Sequence, residues 1–261
     1  LDINARDNYG QTVAHIVADN GCKDSLDYLI KLGNVDFQAP NQWGFTPLHF
    51  ACREPYNSYR NTNKLLKSIQ PDVNVQCTSG RTALHLACLN ATYATVDLLI
   101  KYNANVQLRD NDGRTPLHFA ALNDNSNGSV ISMIEKIAEK HPNMVNLQRK
   151  DGKTFLHLLC ECNWGVEFLR KFKEDFCSSL DFNALTNDGL TPLHIAAKNG
   201  DVEVVKFLLE NSTKLKINVN DSALNTLAQD NGHQSVAKVI ELWQSENQKS
   251  ASGRKLRSAR K

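Results

Sequence analysis

Gly113-Arg114-Thr115-Pro116-Leu117-His118 encodes, in six residues, the exit from a tight turn and the start of a helix. Glycine supplies the positive-φ backbone that such a turn needs. Threonine two residues later is a good N-cap, because its hydroxyl can accept an orphan backbone N–H. Proline then stands at the first helical position, where a missing N–H costs nothing. The same hexad recurs as Gly10-Gln11-Thr12-Val13-Ala14-His15, Gly44-Phe45-Thr46-Pro47-Leu48-His49 and Gly80-Arg81-Thr82-Ala83-Leu84-His85. It returns as Gly152-Lys153-Thr154-Phe155-Leu156-His157 and Gly189-Leu190-Thr191-Pro192-Leu193-His194. The histidines are 34, 36, 33, 39 and 37 residues apart, and Ser222-Ala223-Leu224-Asn225 is a degenerate seventh copy with Asn in the histidine slot. Periods of this size predict a stacked array of small units rather than one closed core.

Outward from the hexad, small and apolar residues continue each first helix, as in Ile195, Ala196 and Ala197. A polar break and a second helix follow, clearest at Glu203-Val204-Val205-Lys206-Phe207-Leu208-Leu209. Each copy closes with an extended segment such as Ala104-Asn105-Val106-Gln107-Leu108. The unit is therefore helix, turn, helix, hairpin.

A unit of Gly-x-Thr-Pro-Leu-His, two antiparallel helices and a hairpin resembles the ankyrin repeat. The resemblance covers about Leu1 to Ser245 and implies an all-α solenoid with short β-hairpins. Repeats are expected near 5–37, 39–73, 75–106, 108–145, 147–182 and 184–217, with a degenerate one at 218–248 and a basic, disordered tail at 249–261. The opening Leu1-Asp2-Ile3-Asn4 looks like the end of an earlier repeat, and without an initiator Met the chain reads as a segment of a longer protein. Departures from the pattern are Glu54 to Asn61, the polar insertion Asn123 to Gly128, and an aromatic fifth copy with Trp164 and Phe168 through Phe176. As loop features they are open to two readings, drift or binding elements.

Composition excludes several function classes. Hydrophobic residues make up 41% and charged residues 22%, which suits a folded chain, and no apolar run approaches a membrane span. Seven scattered cysteines argue against a disulfide framework and fit an intracellular setting, cytoplasmic or nuclear. Cys160-Glu161-Cys162 lacks the spacing of common zinc knuckles. The Gly residues lie one per repeat, with no nucleophile elbow, phosphate loop or dinucleotide fingerprint. No catalysis, cofactor, metal or small-molecule substrate is expected. The net charge of +2 divides into a body of about −4 and a basic tail holding Lys249, Arg254, Lys255, Arg257, Arg260 and Lys261. That tail is open to a nuclear-import, nucleic-acid or purely solvated reading.

The six histidines, His15, His49, His85, His118, His157 and His194, sit one per repeat, too far apart to share a metal. The resemblance implies a structural role for them, bonding neighbouring repeats. It also implies that hairpin tips, the residue after Gly and the end of the first helix face a concave groove that binds another protein. On those positions the candidate partner-binding residues are Tyr9, Trp43, Phe45, Arg53, Arg81, Arg109, Arg114, Lys150 and Lys153. Exposed aromatics and arginines are preferred interface anchors, although Trp43 flat against a neighbouring hairpin is the competing reading. Together they suggest an aromatic end and a basic centre that receive an acidic or extended segment. The expected function is a monomeric adaptor, scaffold or inhibitor, with a resemblance to the inhibitors of NF-κB. The alternative is the recognition domain of a larger enzyme such as a ubiquitin ligase or kinase.

Overall fold

The computed structural model describes residues 2–20, 23–53, 58–90, 93–123, 129–162, 165–172, 174–219 and 223–258. It divides into two compact units, Leu1–Lys150 and Asp151–Lys261.

In the first unit the helices come in pairs: α1 (Val13–Asn20) with α2 (Lys23–Leu32), α3 (Pro47–Ala51) with α4 (Ser58–Ser68), α5 (Ala83–Asn90) with α6 (Tyr93–Lys101), and α7 (Pro116–Ala121) with α8 (Ser129–Lys140). A single 3-10 turn, Pro142–Met144, follows α8. First helices stack on first helices (α1 on α3, α3 on α5, α5 on α7) and second helices on second helices (α2 on α4, α4 on α6, α6 on α8). The reason lies in residue size. Ala14, Ala18, Ala51, Ala83, Ala87, Ala120 and Ala121 are buried along the first helices, so those backbones approach closely. Leu48, Leu84, Leu117, Leu66, Leu99, Ile134 and Ile137 fill the space between the two helical layers. Burying each such chain contributes about 1.5–3 kcal/mol.

The second unit repeats this plan with α9 (Phe155–Glu161), α10 (Gly165–Lys171) and an additional short α11 (Glu174–Ser179), then α12 (Pro192–Asn199), α13 (Val202–Glu210), α14 (Ala223–Asp230) and α15 (Gln234–Ser258). Again α9, α12 and α14 stack in one layer and α10, α13 and α15 in the other. The aromatic surplus of the fifth copy is core: Phe172 packs on Phe155, Phe168 and Phe176 with ring centroids 6.3, 6.2 and 4.6 Å away.

No β-strand occurs among the described residues. The hairpin tips are five-residue loops closed by two backbone bonds, such as Asp110 N–H to Arg114 C=O and Gly113 N–H to Asp110 C=O, both at 2.9 Å, too short to build a ladder. The last helix, α15, runs on through Ser258 into the basic stretch, where Ala251, Leu256 and the Lys and Arg residues are good helix formers and a lone Gly253 does not break the run. The side chains of that extension lie outside the described residues, as do Glu54 to Asn57, Asp124 to Gly128 and Trp164. No described helix is long and apolar enough to cross a membrane.

Polar groups join the repeats at two levels. Asn4, Asn74 and Asn183 each donate to a backbone carbonyl of the next repeat (Asn34, Asn103 and Lys216) and accept an N–H from it (Asp36, Asn105 and Asn218). Deeper in, Asn61 donates to the Ala18 carbonyl, Asn123 to the Cys88 carbonyl, and the hydroxyls of Ser58 and Thr95 meet at 2.8 Å. Satisfied buried bonds of this kind fix which repeat sits on which.

Candidate functional site

Three of the hairpin tips are built by the residue three before the glycine. Asp7, Asn41 and Asp110 each accept two backbone N–H groups, from the residues two and four further on, at 2.7–3.0 Å. Successive tips are then linked through the backbone. Tyr9 C=O accepts from Gln42, Trp43 C=O from Thr78, Ser79 C=O from Asn111, and Asp112 C=O from Lys150. In the second unit Asp151 C=O accepts from Asn187 in the same way. The glycine is obligatory where the next tip comes close. At Gly152 the φ is +79° and an added Cβ would lie 2.6 Å from the Asn187 nitrogen.

One turn inward, the histidines do two jobs at once. In His49, Nδ1 accepts the Thr46 N–H at 3.1 Å and the Thr46 hydroxyl at 2.9 Å. Its Nε2 lies 3.1 Å from the Arg81 carbonyl and must carry the proton, since a carbonyl can only accept. The same bonds join His15 to the Phe45 carbonyl, His85 to the Arg114 carbonyl and His157 to the Leu190 carbonyl. So the imidazole takes the place of the Glu in a capping box and also grips the next repeat. At Thr191 the hydroxyl also accepts from the His194 N–H at 3.3 Å. Burial holds His49 and His85 down to about 4, against the raising effect of their carbonyl bonds, and lowers His15 and His157 as well. The carbonyls gripped belong to the variable slot after each glycine. The ladder therefore positions the backbone of the very residues expected to contact a partner.

Those residues fall into two groups in the first unit. At the aromatic end, Tyr9 and Trp43 stack with centroids 5.7 Å apart and planes 22° from parallel, yet remain 54% and 43% exposed. Packing and exposure thus coexist: each ring covers the other, and the outer faces stay open. Phe45 is half-buried and meets His49 and Phe50 edge-on at 5.5 and 6.3 Å. Arg53 lies 4.8 Å over the Phe50 ring and donates to Asp19 at 2.8 Å. Ile16, on α1, is exposed.

The basic centre differs from its expectation. Arg114 donates through Nε to Asp110 at 2.9 Å and pairs with Asp112 at 2.5 Å. Arg81 lies 3.7 Å from the same Asp110 carboxylate, whose side chain is only 1% exposed. Both guanidinium groups also lie over the Phe119 ring, at 5.3 Å for Arg81 and 5.0 Å for Arg114. Two cations thus share the site with two carboxylates, and the local charge is near neutral. Arg109 is a clamp: its guanidinium donates to the carbonyls of Gly113 and Gln148 at 3.1 and 2.7 Å. Arg6 and Gln76 hold equivalent carbonyl pairs in their own repeats. Lys150 is exposed, with its stem against Gly113. In the second unit Lys153 is paired with Glu161.

Sequence reasoning missed Asp110, Asp112, Asp19 and Glu161 as the partners that neutralise these cations. The four-residue offset from Asp110 to Arg114 was the available signal. Among the described residues no group of three His, Cys, Asp or Glu could hold a metal ion. No disulfide joins the described cysteines to one another and most are buried, and burial pushes the Cys52 thiol up to about 12 and Cys162 to about 11. Cys88 and Cys160 are raised for the same reason. Such thiols are poor nucleophiles.

The chain matches the family model described as ankyrin repeats (3 copies) at residues 1–77, 56–143, 126–221 and 168–249. It is 30% identical over 196 residues to the putative ankyrin repeat protein FPV031 of Fowlpox virus, covering 74% of this chain and 45% of that protein. It is 28% identical over 214 residues to the human transient receptor potential cation channel subfamily A member 1, covering 80% of this chain and 15% of the other. Mouse Rabankyrin-5 is 30% identical over 211 residues, covering 76% of this chain and 17% of that protein. The chain thus spans less than half the length of each of these relatives. A chain in the structure of the Bd0816 predatory endopeptidase from Bdellovibrio bacteriovorus with immunity protein Bd3460 superposes with a TM-score of 0.61. That chain is 22% identical, and the superposition covers 79% of this chain and 99% of the other. The chain belongs to the ankyrin-repeat family.

Proposed function

We propose that this chain is a non-catalytic protein-interaction module that binds a segment of a partner protein on its hairpin tips and first helices. The observation that carries the reading is the Tyr9–Trp43 stack. Two large rings project from tips whose backbone is already satisfied by Asp7, Asn41 and the tip-to-tip bonds. A surface tryptophan held rigidly by a neighbouring tyrosine loses little entropy on binding, which makes it a strong anchor. Phe45, Ile16 and the Arg53 guanidinium over Phe50 extend this surface along the first helices.

A second reading has an observation of its own. Because the chain spans only 15–45% of the three relatives just described, it fits the recognition portion of a longer protein equally well. The two readings share the same binding face and differ in what is attached to it. The described cysteines, mostly buried and not joined to one another by disulfides, support an intracellular location in either case.

The test is Trp43→Ala. A partner captured by affinity purification and then purified should bind the variant at least tenfold more weakly. The variant's melting temperature should stay within a few degrees, since Trp43 contributes little to the core. Unchanged affinity would overturn the reading.

A further inference from the structure

Arg81 differs from Arg6, Arg53, Arg109 and Arg114, the other arginines described on the tip face. Arg109 gives its guanidinium to two carbonyls, Arg114 to Asp110 and Asp112, Arg53 to Asp19, and Arg6 to the carbonyls of Gly10 and Pro40. Arg81 donates no hydrogen bond to any described residue, and its Nε is buried without an acceptor. The nearest carboxylate oxygen, on Asp110, is 3.7 Å away, beyond hydrogen-bond length and already bonded to Arg114 at 2.9 Å. The side chain is nonetheless held in place. Its guanidinium lies over Phe119, and its backbone carbonyl is gripped by His49. One third of the side chain is exposed. An oriented guanidinium with unused donors is costly to maintain and ready to accept a planar anion.

We propose that Arg81 is the acid-reading residue of the binding face and takes one carboxylate, an Asp or Glu side chain, of an extended partner segment. This deepens the proposed function and rests on it. Arg114 does not read the partner: locked by Asp110 and Asp112, it is a positioning residue that keeps Asp110 from closing on Arg81. The surrounding charge decides between ligands. With Asp110 and Asp112 beside two arginines the site is near neutral, so a polyanion such as RNA gains nothing from its further charges. A single carboxylate needs only the free fork of Arg81. An apolar residue of the same segment would reach the Tyr9–Trp43 stack, which lies on the tips of the two preceding repeats.

The experiment is selection of a phage-displayed library of random 12-residue peptides on the whole chain, followed by calorimetry of synthetic winners. Enriched peptides should share an Asp or Glu. Changing that residue to its amide should weaken binding at least tenfold, and Arg81→Gln should do the same. Combining the two changes should add less than threefold to either alone, because both remove the same contact. Arg81→Lys should recover part of the affinity, and Arg114→Gln should lower the melting temperature more than Arg81→Gln does. Winners without an acidic residue, or full additivity of the two changes, would overturn the proposal. Peptides that lose affinity with Trp43→Ala but not with Arg81→Gln would overturn it while leaving the binding face standing. If no peptide is enriched at all, both readings fall.

Discussion

A second proton on His49 or His85 would land on Nδ1, the atom that already accepts two hydrogens from Thr46 or Thr82. Protonation therefore breaks the cap and buries a charge in one step. Burial lowers both rings from 6.5 to about 4 in the folded chain. Between those values the unfolded chain binds more protons, so stability rises with pH. The contribution is fully present above the unfolded value and is lost as pH falls toward about 4. Each ring should cost about 2 kcal/mol between pH 7 and pH 5. Urea midpoints measured at the two pH values should fall accordingly, and less steeply in a His49→Gln/His85→Gln chain. A wild-type midpoint that does not move would contradict this account of the ladder. At this scale the sequence was legible where a residue's role is set by its own repeat, as for the histidine and the glycine. It was not legible for the cations. Asp110 neutralises Arg114 within its own tip, but it reaches Arg81 only because consecutive repeats stack, and no spacing along the chain announces that.

At the scale of elements, the tip loops and the last helix pair carry the sharpest expectations. Gly152 and Gly189 have the same left-handed backbone, φ +79° and +75°, but differ in surroundings. A Cβ at Gly152 would strike the Asn187 backbone, whereas one at Gly189 meets nothing within 4 Å. Gly189→Ala should cost about 1 kcal/mol, the ordinary penalty of a left-handed alanine, and Gly152→Ala at least twice that. Equal losses in denaturant titrations would mean that the tips give way freely. The pair α14 and α15 should be the first to open. In it Asn225 replaces the histidine; among the described residues its amide reaches only Glu241, at 3.1 Å, and its Oδ1 is buried without a partner. Repeat stability is roughly a sum of local and neighbour terms, so this copy has the least to lose. Amide exchange slower in residues 223–247 than in α12 and α13 would contradict the prediction. The hairpins and the tail show why element type was only partly readable. A five-residue loop has too few pairs to become a strand, and a stretch carrying Lys, Arg, Leu and Ala is helix-compatible whatever its charge.

For the whole molecule, the stacking of small-residue first helices and leucine-rich second helices was readable from the hexad period, because each layer repeats the same choice. The division into Leu1–Lys150 and Asp151–Lys261 was not, since the hexad runs through it unbroken. Function follows from what the stack leaves over once its own bonds are made. Histidines and Arg109 are consumed in holding repeats together and the tip aspartates in closing their own tips; the outer faces of Tyr9 and Trp43 and the Arg81 fork are not. The most direct test of that claim is a hydrogen-exchange footprint of the chain with and without a verified protein partner. Protection should concentrate at the tips and first helices of the first unit, residues 7–16, 41–53 and 77–88. Protection confined to the second helices, α2, α4 and α6, would contradict it.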